Sequence, residues 1–355
     1  MSGGVDSSVA AALLVEAGHD VVGVTMRVWP RSAPGPAGTG ACCGSEAVDD
    51  ARRVATVLGI PYYALDMADE FERSVIGPFA DDYRRGRTPV PCVACNTDLK
   101  FGSLLARARA WDAGAVATGH YARVSRDPAE GRWRLLRARD ARKDQSDFLW
   151  PLTQPQLAAA RFPVGELTKD EVRAHARRLG LATADKAESQ EICFVPDDDY
   201  RGFLRRRDPG AFRPGSIVDR AGRELGRHAG VAGFTIGQRR GLGLTSAGAL
   251  YVVDLDPSTD RVTVGGAADL ERDRLVVSRA NFIAGTAPAG PLRVTAKIRH
   301  NQLPAPATLR ALGAGRAEVV FESPQRAVTP GQSCVWYLDD EVVGGGVIER
   351  DGSAS

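Results

Sequence analysis

Residues 2–8 carry a set of groups that suits anion binding. "SGGVDSS" places two glycines, an aspartate and two serines directly before an apolar stretch that predicts a helix. Such a turn directs backbone N–H groups toward one point and makes a cradle for phosphate. The lysine of a Walker-type loop is absent. The pattern favours a loop that binds a departing pyrophosphate, with Asp6 placed to hold Mg²⁺, whereas a plain helix cap is the alternative.

A Cys-x-x-Cys pair marks a second reactive region. "GRTPVPCVACNTDLKFG" contains Cys92 and Cys95, which we interpret as part of a proline-interrupted loop ahead of a helix that begins near Phe101. A thiol close to a helix N-terminus has its pKa lowered by the helix dipole, so Cys95 is a candidate thiolate. Structural zinc is the alternative, but zinc needs four ligands and this pair supplies two.

The remaining cysteines are scattered. Cys193 stands in the polar stretch "AESQEICFVPDDDY", Cys334 in the strand-like "SCVWYLDD", and Cys42 is adjacent to Cys43. A lone cysteine is usually a small buried apolar residue, which is the alternative for Cys193 and the expectation for Cys334. Six cysteines so placed in 355 residues do not make a disulfide scaffold and favour redox, metal or nucleophilic chemistry in a reducing compartment.

Two more polar stretches are candidates for a site. "ATGHYARV" sets Gly119 and His120 at the C-terminal end of a predicted strand, where open α/β sheets bind ligands; a core histidine is the alternative. "ARDARKDQSDFLW" is a charged run that ends in an aromatic pair, and by itself it favours a solvated loop.

The elements that must position these groups alternate in type. Strands predicted in "DVVGVTMRVW", "PYYALDM" and "AVATGHY" alternate with helices predicted at 7–17, 45–59, 69–85 and 101–112. This alternation predicts a parallel, doubly wound α/β sheet. Thr168 and Glu171 form a capping box that starts a further helix, which ends near Gly180. After about residue 208, glycines and prolines become frequent, and short alternating runs predict the β-strands of small barrels or sandwiches. These runs include "ALYVVDLD", "RVTVGG", "LRVTAKIR", "AEVVFES" and "SCVWYLD".

Composition narrows the class of protein. The length of 355 residues fits two or three domains, and 43% hydrophobic and 25% charged residues are ordinary globular values. No apolar run reaches the roughly 18 residues that a membrane helix needs, and no leader pattern stands at the N-terminus, so we expect a cytoplasmic protein. A net charge of +2 decides nothing about nucleic-acid binding.

Taken together, the motifs resemble the tRNA-specific 2-thiouridylases, which use ATP to place sulfur on the wobble uridine. The resemblance covers essentially the whole chain, and its first motif is shared with other pyrophosphatase-loop enzymes. The motifs on which the resemblance rests, in the order in which the family has them, are "SGGVDSS", "TPVPCVACNTDLKF", "ATGHYARV", "KDQSDFLW", "FPVGELTKDEVR", "EICFV", "GFTIGQRRGLG" and "AVTPGQSCVWY".

The resemblance implies a fold and a set of site residues. It implies a pyrophosphatase-loop α/β domain over 1–207, a small central β domain over 208–272 and a C-terminal β-barrel over 273–355 that contacts tRNA. Cys95 matches the family nucleophile and Cys193 the persulfide carrier. The positions that match ATP-binding residues are Ser2, Gly3, Gly4, Val5, Asp6, Ser7, Met26 and Gly119. The positions that match tRNA-binding residues are Val90, Pro91, Cys92, Lys143, Asp144, Gln145, Arg299 and His300.

The resemblance also implies partners. These are ATP, Mg²⁺, a sulfur carrier or cysteine desulfurase, and tRNAs for Lys, Glu and Gln, with no membrane. Many relatives carry Asp where this chain has Cys92, so a second hypothesis is a four-iron four-sulfur cluster on Cys92, Cys95 and Cys193. Two rival functions stay open: a pyrophosphatase-loop synthetase that adenylates a small molecule, and a non-catalytic tRNA-binding protein.

The start of the sequence raises one further expectation. In a doubly wound sheet, the strand that feeds the phosphate loop is central and ends where the loop begins. Only Met1 and Ser2 precede Gly3. We therefore expect the natural protein to begin upstream, with a β-branched apolar run of roughly six to ten further residues.

Overall fold

The structure is a computed structural model that describes residues 1–29, 45–186, 192–195, 198–245 and 248–350. Cys42 and Cys43, which the sequence singled out, lie outside the described residues.

The N-terminal region begins with two helices and two strands that alternate as expected. They are α1 (Val5–Glu16), β1 (Gly23–Arg27), α2 (Ser45–Leu58) and β2 (Tyr62–Asp66). Strands β1 and β2 pair in parallel. The backbone of Met1 lies beside β1, because its amino group donates to the carbonyl of Val24 and its own carbonyl accepts from Thr25 Oγ1.

Two longer helical runs follow, and each contains a π-helical stretch. The first comprises α3 (Ala68–Phe71), a π-helix (Glu72–Ile76) and α4 (Gly77–Arg84). The second comprises α5 (Pro91–Ala94), a π-helix (Cys95–Leu104) and α6 (Leu105–Ala110). The expected start near Phe101 is therefore wrong. Helical structure begins at Pro91, because proline at the first helical position needs no N–H partner and has a suitable φ.

The α/β region also contains a second parallel pair of strands. It joins β3 (Val116–Ala117) to β6 (Ala160–Arg161), and in the described part of the chain it has no backbone ladder to the β1–β2 pair. Helix α7 (Gln154–Ala158) precedes β6, and α8 (Lys169–Arg178) follows it. The predicted capping box of α8 is confirmed, since Thr168 accepts a hydrogen bond from the Glu171 N–H.

A β-hairpin between β3 and α7 was not expected from the sequence. Strands β4 (Ala122–Arg126) and β5 (Trp133–Arg137) form it, and β5 pairs with the last strand of the chain. Short 3₁₀ helices among the described residues include Ser146–Phe148, Pro163–Glu166, Pro209–Ala211, Val231–Gly233 and Ala267–Leu270.

The middle region is a helix followed by a small sheet. Helix α9 (Tyr200–Arg207) leads into β7 (Gly215–Val218), β8 (Glu224–His228), β9 (Tyr251–Asp256) and β10 (Arg261–Gly265). The sheet order is β8-β7-β10-β9. The last two strands confirm the predictions from "ALYVVDLD" and "RVTVGG".

The C-terminal region is a closed barrel. Its strands are β11 (Glu271–Phe282), β12 (Leu292–Lys297), β13 (Ala305–Gly313), β14 (Arg316–Arg326), β15 (Ser333–Leu338) and β16 (Glu341–Ile348). Pairing of β11 with β16 closes the order β11-β14-β13-β12-β15-β16. Inward-facing Trp336, Leu309 and Val319 are fully buried, as strand alternation requires.

The β4–β5 hairpin connects the α/β region to this barrel through hydrogen bonds and a cation–π contact. Glu341 on β16 accepts hydrogen bonds from Arg132 (2.6 Å) and Arg134 (2.7 Å), and the Arg137 guanidinium lies 3.9 Å from the centre of the Tyr337 ring. Because β4 and β5 extend the barrel sheet, the segment that directly follows Tyr121 is hydrogen-bonded into the same sheet as the barrel strands. Within the described ranges, every helix is too short or too polar to cross a lipid bilayer.

The loop before Pro91 is held by both β regions. Thr88 donates its N–H to the Pro330 carbonyl (2.8 Å), accepts from Gln332 Nε2 (2.8 Å), and bonds Thr235 through the two hydroxyls (3.2 Å). Gly331 has φ +94°, and a Cβ there would lie 2.9–3.0 Å from the backbone of Thr88. The absence of a side chain at Gly331 lets the barrel reach this loop.

We expect Gly331→Ala to destabilise the protein more than Gly285→Ala does. Both glycines have positive φ (+94° and +83°), but a Cβ at Gly285 meets nothing within 4 Å. Left-handed strain costs each variant about 1–2 kcal/mol, and the collision with Thr88 adds about 1–3 kcal/mol for Gly331→Ala only. Urea unfolding of the two variants measures the difference, and equal losses would contradict the contact.

Candidate active site

The glycine-rich loop has the geometry of an anion site. Gly3 has φ +69°, and Gly4 is the extended N-cap residue of α1, with no side chain that accepts from the first turn. The leading N–H groups of a twelve-residue helix therefore have no side-chain cap. Ser7 Oγ accepts from the Ser2 N–H (3.0 Å) and donates to the Gly4 carbonyl (3.1 Å), which fixes the turn.

Two close backbone approaches set the position of this loop. A Cβ on Gly3 would overlap the carbonyl of Ala47 in α2, and a Cβ on Gly119 would lie 2.6 Å from the carbonyl carbon of Asp6 and the nitrogen of Ser7. The structure thus brings Gly119 against the loop, and its position beside the nucleotide, which the resemblance implies, stays a prediction. Met26 lies elsewhere, on β1, and packs against the apolar cluster that also contacts Cys95 and Cys193.

The Asp6 carboxylate has partners that the sequence analysis did not single out. Lys169 Nζ donates to Oδ1 (2.7 Å) and Oδ2 (2.9 Å), and the Tyr121 hydroxyl donates to Oδ1 (2.8 Å). The Lys169 side chain is 8% exposed and that of Asp6 is 30% exposed. A lysine from α8 thus supplies the cation that the loop itself lacks.

A signal for Lys169 exists in the sequence. It occupies the first position of α8, directly after the capping Thr168, where the positive end of the helix dipole disfavours a cation. A lysine in that place needs an acidic partner from elsewhere. Here its ammonium has Asp6, and its backbone N–H donates to the buried carboxylate of Asp140 (3.1 Å).

The cysteines lie in helical structure and around one apolar cluster. Cys92 is exposed and lies in α5, and Cys95 is half-buried at the start of the following π-helix. Cys95 and Cys193 both pack against the cluster that contains Phe71, Phe79 and Phe194. Both family cysteines therefore line the same core, although they are far apart in sequence.

Neither predicted metal centre has a preformed ligand set. No group of three or more His, Cys, Asp or Glu side chains within the described ranges could hold a metal ion, and these ranges include Cys92, Cys95 and Cys193. Both oxygens of Asp6 already accept from Lys169. The residues present therefore fit neither an iron–sulfur cluster nor a Mg²⁺ site of their own, and both metals stay predictions from the sequence.

The charged stretch divides into an exposed part, with Arg139 and Arg142, and a partly to fully buried part, residues 144–148. Gln145 exchanges two hydrogen bonds with the Tyr121 backbone (2.8 and 3.1 Å), and Asn96 Nδ2, next to Cys95, donates to the Phe148 carbonyl (3.2 Å). Residues 144–148, here called the bridge segment, thereby connect the Asp6 partner Tyr121 to the Cys95 helix. The solvated-loop interpretation fits the exposed Arg139 and Arg142, but it is wrong for residues 144–148, whose polar groups are satisfied by these distant partners.

The bridge segment uses two of the side chains expected to touch tRNA. The Asp144 carboxylate accepts from the Ala138 N–H (3.0 Å) and from the Ser146 N–H and hydroxyl (3.2 and 2.9 Å). Burial raises the pKa of Asp144. Because Gln145 is likewise engaged within the chain, tRNA contact at these positions remains a prediction, as it does for Lys143.

His300 lies against the same segment. Its Nδ1 is 3.0 Å from the buried Asp147 carboxylate, which also pairs with Lys297 Nζ (3.2 Å), and its ring centre lies 4.5 Å from that of Phe148 in a tilted arrangement. His300 therefore lies against the bridge segment, which also contains Asp144 and Gln145, and the resemblance assigns all three residues to tRNA. Val90, Pro91 and Cys92 lie just after the Thr88 anchor, at the N-terminus of α5.

His120 is a core residue, as the alternative interpretation held. Burial, and then the charge of Lys100, hold the pKa of His120 well below its usual value, so the ring is neutral. Its Nδ1 is 2.7 Å from Thr118 Oγ1, and its ring meets the edge of Phe162. It therefore supports the end of β3 beside Gly119.

Three family profiles match the chain in succession. The tRNA methyl transferase HUP domain matches residues 1–197, the tRNA methyl transferase PRC-barrel domain 201–266, and the aminomethyltransferase beta-barrel domain 272–348. The chain is thus a three-part protein with a HUP-type α/β domain and two β domains, which confirms the fold class predicted from the sequence.

Full-length relatives share one name, tRNA-specific 2-thiouridylase MnmA. The protein from Moorella thermoacetica is 53% identical over 349 residues, which cover 98% of this chain and 98% of that protein. The proteins from Clostridium perfringens and Desulforamulus reducens are each 49% identical, covering 98% and 99% of this chain and 97% and 96% of theirs. The chain belongs to the tRNA-specific 2-thiouridylase family.

We expect Gly119→Ala to destabilise the folded protein by about 1–3 kcal/mol, because the new methyl group would lie 2.6 Å from the Asp6–Ser7 peptide. Gly114→Ala is the matched control, since a Cβ there meets nothing within 4 Å. Chemical denaturation measures both free energies of unfolding. A loss for Gly119→Ala no larger than that for Gly114→Ala would show that β3 does not press on the loop.

Proposed function

We propose that this protein is an ATP-dependent tRNA-uridine 2-sulfurtransferase that thiolates the wobble uridine. The observation that carries the proposal is the bridge segment, which connects the Asp6 side of the phosphate loop to the helix of Cys95. Membership of the thiouridylase family supports the same activity. In this reaction one uracil is activated by ATP and then receives sulfur. The phosphate loop and the helical run of Cys95 must therefore act on the same base.

The chemistry explains why the phosphate loop and the two cysteines are both needed. The C2 carbonyl of uracil is a poor electrophile, so its oxygen first attacks the α-phosphorus of ATP and pyrophosphate leaves. The terminal sulfur of a Cys193 persulfide then adds to C2. Attack of the Cys95 thiolate on the Cys193 sulfur forms a Cys95–Cys193 disulfide and leaves the sulfur on C2 as AMP departs. A thiol reductant reopens the disulfide, and a sulfur carrier or cysteine desulfurase restores the persulfide.

The loop and Lys169 suit the first step. The N–H groups at the start of α1 have no side-chain cap and are open to an anion, and the buried Lys169 ammonium, paired with Asp6, lies at the same loop. Preorganised positive groups stabilise the charge that grows on departing pyrophosphate. In this proposal, Tyr121 and Asp6 orient the Lys169 ammonium.

The substrate must present a base that is normally stacked in the anticodon loop. Such a base has to be extruded into the site before its C2 can react. The ring of Phe148 in the bridge segment and the adjacent ring of His300 provide an aromatic surface beside the helical run of Cys95. The proposal further includes tRNAs for Lys, Glu and Gln as substrates, Mg²⁺ bound with ATP, and a cytoplasmic location.

Substitution of either family cysteine should abolish 2-thiouridine formation and leave tRNA-dependent pyrophosphate release intact. Cys95→Ser and Cys193→Ser remove a reacting sulfur, whereas the phosphate loop is unchanged. Cys334→Ala is the control, because burial raises the pKa of that thiol to about 12 and keeps it protonated inside the barrel.

Mass analysis of tRNA nucleosides and a pyrophosphate assay read out the two steps. Near-normal thiolation by Cys95→Ser or Cys193→Ser would refute the roles of these residues. Pyrophosphate release that does not depend on tRNA would instead favour the rival synthetase, and no release at all would favour a non-catalytic tRNA-binding protein.

Lys169→Met should lower the rate constant of pyrophosphate release by about 10²–10³-fold, since one positive group that stabilises the transition state is lost. Lys186→Met is the control, because Lys186 is also paired with an aspartate, Asp50 (2.5 Å), on the α2 side. Single-turnover kinetics at saturating ATP measure the effect. A change below threefold, with the fold intact by circular dichroism, would exclude the proposed role.

A further inference from the structure

The loop between β8 and β9 has a fixed shape. Residues 235–243, here called the arginine loop, contain Gly237, Gly241 and Gly243, with φ of +85°, +73° and +67°. Gln238 braces them, because its Oε1 accepts from the Thr235 N–H (3.2 Å) and its Nε2 donates to the Arg240 carbonyl (2.9 Å). The backbone of the arginine loop also exchanges hydrogen bonds with the start of β9. The loop is therefore preorganised.

The arginine loop lies where the three regions of the chain meet. Thr235 bonds Thr88, two residues before Val90. A Cβ on Gly237 would lie 2.8 Å from the Ala327 methyl group and 3.8 Å from the Arg299 guanidinium. The loop thus stands between two segments that the family resemblance assigns to tRNA, 90–92 and 299–300.

The loop presents positive charge that the chain does not neutralise. Arg239 and Arg240 are exposed, and no carboxylate of the described residues pairs with either of them. Arg201 adds a third guanidinium, which lies over the rings of Tyr200 and Phe234 and 3.6 Å from where a Cβ on Gly241 would stand. By contrast, Arg220 and Arg223 of the same region each pair with an aspartate.

We propose that the arginine loop binds the sugar–phosphate backbone of the tRNA substrate, through Arg239 and Arg240. This inference rests on the proposed function, because it takes tRNA as the substrate. A guanidinium suits a phosphate group, since its N–H donors match two phosphate oxygens at once. A rigid loop that holds unpaired arginines loses little conformational entropy when RNA binds. It would hold the tRNA outside the catalytic cleft, without reading sequence.

The test compares tRNA binding by wild-type protein, Arg239→Ala/Arg240→Ala and Arg220→Ala/Arg223→Ala. Both double variants lose two positive charges from the same region. We expect only the first to weaken tRNA binding, by about tenfold or more near 0.1 M salt, and to reduce the slope of log Kd against log salt by roughly 2, about one per lost phosphate contact. Arg239→Lys/Arg240→Lys should retain the slope, because it keeps both charges.

The outcomes separate this inference from the proposed function. If the wild-type protein binds tRNA and Arg239→Ala/Arg240→Ala keeps its affinity and slope, or if the control variant loses as much, the arginine loop is not a phosphate-binding element. If the wild-type protein binds no tRNA, the proposed function fails and the loop assignment fails with it. Unchanged ATP affinity and melting temperature in the first variant would show that the loss is confined to RNA binding.

Discussion

The half-buried carboxylate of Asp6 is the point on which the site depends. A carboxylate withdrawn from water needs donors in place of solvent, and here they come from Lys169 on α8 and Tyr121 just after β3. The phosphate loop, the end of β3 and the start of α8 must therefore meet at one place. Gly119 allows that meeting, because any side chain there would overlap the loop backbone.

From this point, hydrogen bonds run to the helical run that contains Cys95 and to the barrel. Tyr121 holds Gln145, the bridge segment continues to Phe148, and Asn96 connects Phe148 to the Cys95 helix. The hairpin that follows Tyr121 extends the barrel sheet. The two-step reaction proposed above requires the phosphate loop and the two cysteines to keep a fixed separation, and hydrogen bonds between the α/β region and the barrel would help to maintain it.

Several elements could be predicted because their signals are local. Helix α1 and the Thr168–Glu171 cap follow from residues within one or two turns, and β9, β10, β12, β14 and β15 follow from alternation. The helical start at Pro91 was missed because "CNTD" is poor in helix formers, and packing of Leu99 and Cys95 against the Phe71 cluster overrides that preference. The hairpin β4–β5 was missed because its strands are stabilised by Glu341, about 200 residues away.

The sequence by itself determined which chemical groups the protein has and in which local frames: a glycine-rich loop before a helix, paired cysteines after a proline, and β-strands after residue 208. Only the tertiary structure decided that Lys169 completes the loop, that Asp144 and Gln145 bond within the chain, that His120 is a neutral core residue, and that Cys95 and Cys193 share one core. The physical reason is the distance along the chain over which each kind of interaction acts. Caps and periodicity act over a few residues, whereas burial of a charged or polar group is settled by partners that packing brings from far along the chain.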